Sequence, residues 1–282
     1  MATVRQLQAA EREQLAKKLA LENAFTPTMR RTINKMADDF AATYAASGII
    51  ISAKVFAKDF EKELTKHYEK VTSKFTAFIN VKLDGDIANY AAKRGQSLAD
   101  AKKTVEHRQK ENIDKFIKAN VKASTKAITA TNNREFKKAV ERAADKVVSA
   151  GLPLTHETIG AELAPTFKAS NSYRAEIISQ VETQKAAEGA KAESAASIDD
   201  TINGGANGYK PVFLKEWITV GDDKVRPAHA DADGQTVQVD EPYIVGGESL
   251  MYPADESLGA SAENTINCRC SSQYVENPDF NN

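Results

Sequence analysis

At 282 residues, 41% of them hydrophobic and 27% charged, the chain is long enough to bury a substantial core, most simply as two units. The segment MATVRQLQAAEREQL is charged every few residues and lacks an apolar signal core, and the longest apolar stretch, around Gly48 to Ala53, is far too short to span a bilayer, so no membrane anchor is expected. Two cysteines spaced C-x-C exclude a disulfide framework and fit a reduced compartment, with synthesis in a cytoplasm.

The net charge of -1 conceals an asymmetry. Residues 1–150 carry 29 Lys and Arg against 18 Asp and Glu, a net +11, whereas residues 151–282 carry 9 against 21, a net -12. A basic half points to a polyanionic partner, nucleic acid being the commonest, because each cation near a phosphate releases a condensed counterion. The competing reading is a solvated, lysine-rich helical surface. This half contains no RNA-binding aromatic signature, no helix-turn-helix with a glycine turn and no zinc-finger spacing. Contact with double-stranded DNA would therefore be without sequence specificity.

From Val4 to about Ala150 the apolar period is helical. Thr26 and Pro27 read as the N-cap and first residue of a second helix that runs to about Ala46 and is closed by Gly48. Ser52 opens a long helix in which Phe56, Phe60, Leu64, Tyr68, Val71, Phe75 and Phe78 form an apolar stripe. Lys58, Lys62, Lys66, Lys70 and Lys74 recur at i+4 along another face, interleaved with Asp59, Glu61, Glu63 and Glu69. Such a row could line a phosphate-backbone surface; its default meaning is a soluble face with i, i+4 pairs. Gly85 and Gly95 bracket a loop-prone segment. Ser97 caps a further helix through Val105, Ile113, Phe116, Ile117 and Val121, with a break at Thr131, Asn132 and Asn133 and a continuation through Phe136, Val140, Ala144 and Val147 until Gly151 and Pro153 stop it.

Another helix, from Ser172 to about Ala196, puts Arg174, Ile178 and Glu182 on one face. Composition changes at INGGANGYKP, Ile202 to Pro211, a glycine and asparagine hinge, after which the period becomes two. Val212, Leu214, Ile218 and Val220 surround Trp217 in a strand. Asp233-Gly234 offers a tight turn before Thr236 to Val239, and Tyr243 to Val245 is a third strand. Pro253 to Ala260 is irregular, Ser261 caps a short helical turn, and Cys268 to Val275 reads as the last strand. The expected fold class is α+β, a long α-helical N-terminal region followed by a small α+β module with a few antiparallel strands. The expected divisions are a basic, elongated α-helical region over 1–150, connecting helices over 151–200 and the α+β module over 201–282, with helix 172–196 packed on it.

Three chemistries compete for Asp223, Arg226, His229, Cys268 and Cys270. His229 with the C-x-C pair, and Asp231 or Asp233 as a fourth ligand, could bind zinc tetrahedrally, although only three soft or borderline ligands are present. A thiolate at Cys268 or Cys270, with His229 as base and Asp223 as orienter, would make a nucleophilic site. The third reading, which we favour, is packing: the cysteines act as small hydrophobes on the last strand, and Arg226 and Asp223 form an ion pair that ties the long loop. No cofactor is then required and no residue is catalytic. The chain contains no GxxxxGK[ST], HExxH or GxSxG.

The run KEWITVGDDKVRPAHADADGQTV, then MYPADESLG, then NCRC resembles the C-terminal domain of phage Mu F-like minor head proteins, also called phage head morphogenesis proteins. The resemblance rests on Trp217, Thr219, Asp223, Val225, Arg226, His229, Asp233, Gly234, Asn267, Cys268, Arg269 and Cys270 as a structural motif, and covers about 110 residues. Arg174, Ala175, Glu182 and Thr183 fit the family's preceding helix, with Val181 where a first Thr would stand. The resemblance implies a minor virion protein inside the phage head near the portal vertex. Its implied partners are the portal protein, packaged double-stranded DNA, and a scaffold or major capsid protein; it also implies ejection with the genome or control of its release. The lysine row at 58, 62, 66, 70 and 74 is the candidate DNA contact. The alternative from another class is a thiol or zinc-dependent hydrolase acting in assembly or host entry.

Overall fold

A computed structural model of the chain describes residues 9–93, 95–203 and 211–280. The fold is α+β: long helices first, then a small module with strands in two small antiparallel sheets. Among the described residues no helix is long and apolar enough to cross a membrane.

The first helix, α1 (Ala9–Ser47), runs through Pro27. Two helices were expected here, divided at Thr26-Pro27. The Thr26 hydroxyl instead donates back to the Glu22 carbonyl at 3.0 Å, so it does not cap a new helix, and the neighbouring core holds the chain helical through the proline. Gly48 ends α1 at φ 67°, its N–H donating to the Tyr44 carbonyl at 2.7 Å. Ser52 caps a short 3₁₀ turn (Ala53–Phe56), and α2 (Ala57–Lys82) follows. The segment around Gly85 is not a loop but α3 (Asp84–Lys93), with Asp84 and Asp86 in its first turn, where carboxylates suit the helix dipole.

Helix α4 (Leu98–Ser149) starts at Ser97, whose hydroxyl oxygen accepts from the Asp100 N–H at 3.1 Å. It does not break at Thr131 to Asn133. Asn132 accepts from Arg174, and Asn133 Oδ1 accepts from the Ala53 N–H at 2.6 Å, so these amides are occupied with other segments and do not compete with their own backbone. Gly151 at φ 67° and Pro153 end it. Thr155 and Thr158 then form a reciprocal capping pair that begins α5 (His156–Lys168). Helix α6 (Asn171–Asn203) is longer than the expected span. The hinge expected at Ile202 to Pro211 lies, for residues 204–210, outside the described residues.

The chain forms two compact units, each assembled from separated segments. One contains residues 21–67 and 119–182. Its core is aromatic, with Phe40 and Phe136 stacked at 3.8 Å and Phe167 tilted against Phe136 at 5.4 Å. The other contains the described residues of 1–20, 68–118 and 183–282. Ile79, Leu83, Ile87, Ile198, Phe213 and Tyr274 meet in one of its clusters, and Trp217, Tyr243, Val245, Leu250, Cys268 and Cys270 in a second.

Within this unit β1 (Phe213–Ile218) is the central strand, antiparallel to β2 (Thr236–Gln238) on one side and β5 (Ser271–Glu276) on the other. Phe213, Lys215 and Trp217 alternate inward, so a lysine occupies a core register and Leu214 stands on the other face. Between them come α7 (Pro227–Asp231), the hairpin β3 (Tyr243–Val245) and β4 (Glu248–Leu250), and α8 (Ala262–Thr265). The hairpin turn uses Gly246 and Gly247, both at positive φ. The last strand starts at Ser271, so both cysteines precede it rather than belong to it.

Candidate functional site

The strand β1 ends beside a turn that returns the chain to it. The Gly234 N–H donates to the Trp217 carbonyl at 2.8 Å, with Gly234 at φ 79°, and Asp233 Oδ1 accepts from the Thr219 N–H at 2.8 Å and hydroxyl at 3.0 Å. Asp233 is thus occupied in a turn and is not a metal ligand, and Asp231 is exposed. The same return fixes the short helix α7, in which Pro227 supplies the first position and His229 points into the core. His229 is 2% exposed, and the Trp217 ring meets it edge-on at 5.7 Å.

The second component is N-C-R-C. Asn267 adopts φ 57°, a left-handed conformation that asparagine tolerates better than most residues, and this turns the chain just before Cys268. Arg269 faces outward and forks onto Asp222, both N–H···O distances being 2.7 Å. Cys268 and Cys270 therefore face inward, each 3% exposed, and both are free thiols. Arg226 donates to the Ile266 carbonyl. The expected Asp223–Arg226 pair does not form: Asp223 is exposed, and the paired carboxylate is its neighbour Asp222, which offers both oxygens to Arg269.

These elements bring one imidazole and two sulfurs together. His229 Nδ1 lies 3.4 Å from Cys270 Sγ and 3.8 Å from Cys268 Sγ, and all three ligand-type atoms fall within 4.8 Å of one another. His229 Nε2 is buried without a hydrogen-bond partner. The Cys270 thiol beside Cys268, with His229, pulls the Cys268 pKa down against the opposing effect of burial. Cys270 moves the other way, held up by the neighbouring Cys268 sulfur and by burial. One proton is thereby shared unequally, with Cys268 the sulfur that ionises first.

A charged network holds this segment from behind. The Cys270 carbonyl accepts from Gln184 Nε2 at 2.5 Å and from Lys18 Nζ at 3.5 Å. Glu188, fully buried on α6, receives Lys191 at 2.8 Å, Lys18 at 3.1 Å and the Ser272 N–H at 2.8 Å. Burial alone would push Glu188 up; the two ammonium groups outweigh it and hold the carboxyl below its usual range. Lys191 also donates to Gln14 at 2.9 Å and to the Ser272 carbonyl at 2.9 Å. Lys215 donates to the Met251 carbonyl at 2.7 Å, and burial lowers its pKa to about 8.

The motif residues Trp217, His229, Cys268 and Cys270 come together; Asp223, Asp231 and Asp233 do not join them. No motif or spacing in the sequence marks Lys18, Gln184, Glu188 and Lys191 as a group. The local sign of Glu188 and Lys191 is their place inside AAEGAKA, where small residues let neighbours approach closely; Lys18 and Gln184 lie outside that run. The five lysines at 58, 62, 66, 70 and 74 are all exposed on α2, and among the described residues only Lys66 is paired, with Glu63 at 3.4 Å. At about 100° per residue, steps of four sweep the row through about 160° of the helix surface rather than along a straight line.

The geometry defines a class, a small α+β module whose closing strand is led in by a C-x-C pair set against a helical histidine. Residues 140–273, just under half of the chain, match the family model described as Phage Mu protein F like protein, which supports the resemblance drawn from the motif residues. The match begins inside α4, upstream of the expected start at Ser172. No curated protein and no solved structure matched the chain.

Proposed function

We propose that this protein is a minor phage head protein that acts in head morphogenesis, held at the portal vertex on the inside of the virion and in contact with packaged DNA. The observation that carries the reading is the family match over residues 140–273. The DNA part is supported by the +11 charge of residues 1–150 and by four exposed lysines on α2 that have no ion-pair partner among the described residues. The acidic remainder then suits docking to protein, whether portal, scaffold or major capsid protein, and ejection with the genome or control of its release follows from contact with DNA at the vertex.

The hydrolase alternative would require a nucleophile open to substrate and an orienting carboxylate. His229, Cys268 and Cys270 are all buried, and no carboxylate joins them among the described residues.

The test is a gel shift with the full-length chain on unrelated duplex sequences over a salt series. The expected result is binding that ignores sequence and weakens steeply with salt. Because the lysines sweep about 160°, about three of the five can face one duplex. Replacing all five with Gln should reduce the log–log salt slope by about 2 to 3. Absence of binding at about 50 mM salt removes the DNA role.

A further inference from the structure

We propose that His229, Cys268 and Cys270 form a zinc site, bound through Nδ1 and the two sulfurs, that cross-links α7 to the lead-in of β5. Zinc bonds of about 2.3 Å to sulfur and about 2.0 to 2.1 Å to nitrogen, set tetrahedrally, give N···S edges of about 3.5 Å. The observed separations of 3.4 and 3.8 Å bracket that value, so an ion enters with adjustments of a few tenths of an ångström.

The competing account, a histidine packed and satisfied in a core, fits less well. A buried imidazole ordinarily finds oxygen or nitrogen partners for both ring nitrogens. His229 Nδ1 meets only two sulfurs, which are weak hydrogen-bonding groups, whereas coordination gives that nitrogen a strong partner; Nε2 has no partner in either account. Packing of two small thiols does not call for an imidazole between them; coordination does. The supports also match what a ligand set needs. Arg269, forked onto Asp222 on the opposite side of the chain, keeps both cysteines facing inward, and Gln184 pins the carbonyl of Cys270. Two thiolates would neutralise the dication, which a buried site favours.

No fourth Asp, Glu, His or Cys joins the group among the described residues, so water completes the tetrahedron. The ion joins segments about 40 residues apart in sequence and contributes its binding energy to folding.

The experiment is cobalt titration of the full-length, metal-stripped chain under reducing conditions, with elemental analysis of the protein as purified. The expected result is a thiolate-to-cobalt charge-transfer band saturating at about one equivalent and displaced by zinc, with about one zinc per chain as purified. The His229→Cys variant, which preserves a soft ligand, should keep the band and intensify it, and Cys268→Ser should weaken or abolish it. A folded wild-type chain that shows no such band and holds no zinc overturns the proposal. So does a band that persists when both cysteines are replaced by serine in a folded variant. Should a cysteine variant fail to fold, the wild-type titration still decides.

Discussion

Glu188 is enclosed with two buried lysines at its oxygens, and its removal would take its negative charge away from both ammonium groups. The Glu188→Ala variant is expected to lose about 3 to 5 kcal/mol in urea unfolding, the usual cost of orphaning a buried charge. Its pKa is lowered in the fold, so the carboxylate contributes stability above its ordinary value of 4.5, and that contribution is lost as pH falls through the lower folded value. Lys215 gives the same sign in a more alkaline window. Its folded pKa is about 8 against 10.5, so the unfolded chain binds more protons across that window and stability rises with pH between the two values. Lys215→Met should flatten the rise in pH-dependent unfolding; an unchanged profile would show that Lys215 is not held in a depressed state. The visible and the hidden differ in kind here. His229, Cys268 and Cys270 can be picked out by residue type and spacing, whereas a lysine in a strand reads as a solvent-facing residue, and only the three-dimensional return of Met251 and Tyr243 explains Lys215.

Within the helices, small residues decide how closely neighbours approach. From Val181 to Ala190 every residue of α6 is buried although the run includes Glu182, Lys185 and Glu188. In the unit that holds the candidate site, a Cβ added at Gly189 would collide with the Phe116 ring. In the other unit, a Cβ at Gly160 would stand 2.8 Å from the Ala45 Cα. Replacing a helical glycine with alanine ordinarily stabilises by about 1 kcal/mol. Here the sign should reverse: Gly160→Ala meets backbone that cannot give way, and we expect a loss of about 1 to 3 kcal/mol by thermal or urea denaturation. A gain would mean that α1 and α5 are farther apart than described. The helical class is legible from apolar spacing because the period of α2 and α4 is maintained over many turns. The boundaries are less so: Pro27 and the Thr131 to Asn133 run carry local breaking signals, and these are overruled by core packing and side-chain partners distant in sequence. The burial of Glu188 on α6 is not legible locally because its partners, the Lys18 ammonium and the Ser272 N–H, come from segments distant in sequence.

At the scale of the molecule, charge is divided along the chain while the folded units are not. Each unit draws on separated segments, so a net charge counted over residues 1–150 describes a stretch of sequence rather than one body. This interleaving is not legible from composition, which averages neighbours in sequence and has no access to contacts across more than a hundred residues. The ordered C-terminal motif is legible because its residues recur in a fixed order, and the family match over 140–273 rests on the same stretch. For the proposed role, charge should act through many weak contacts, so single Lys→Gln changes on α2 are expected to alter DNA binding by less than about tenfold, and the fivefold variant by much more at low salt. The most direct measurement is a reconstruction of the phage particle with this chain tagged and located. Density for the tag inside the head at the portal vertex, in a few copies and against the packaged genome, is the predicted result; density confined to the outer surface of the shell would contradict it.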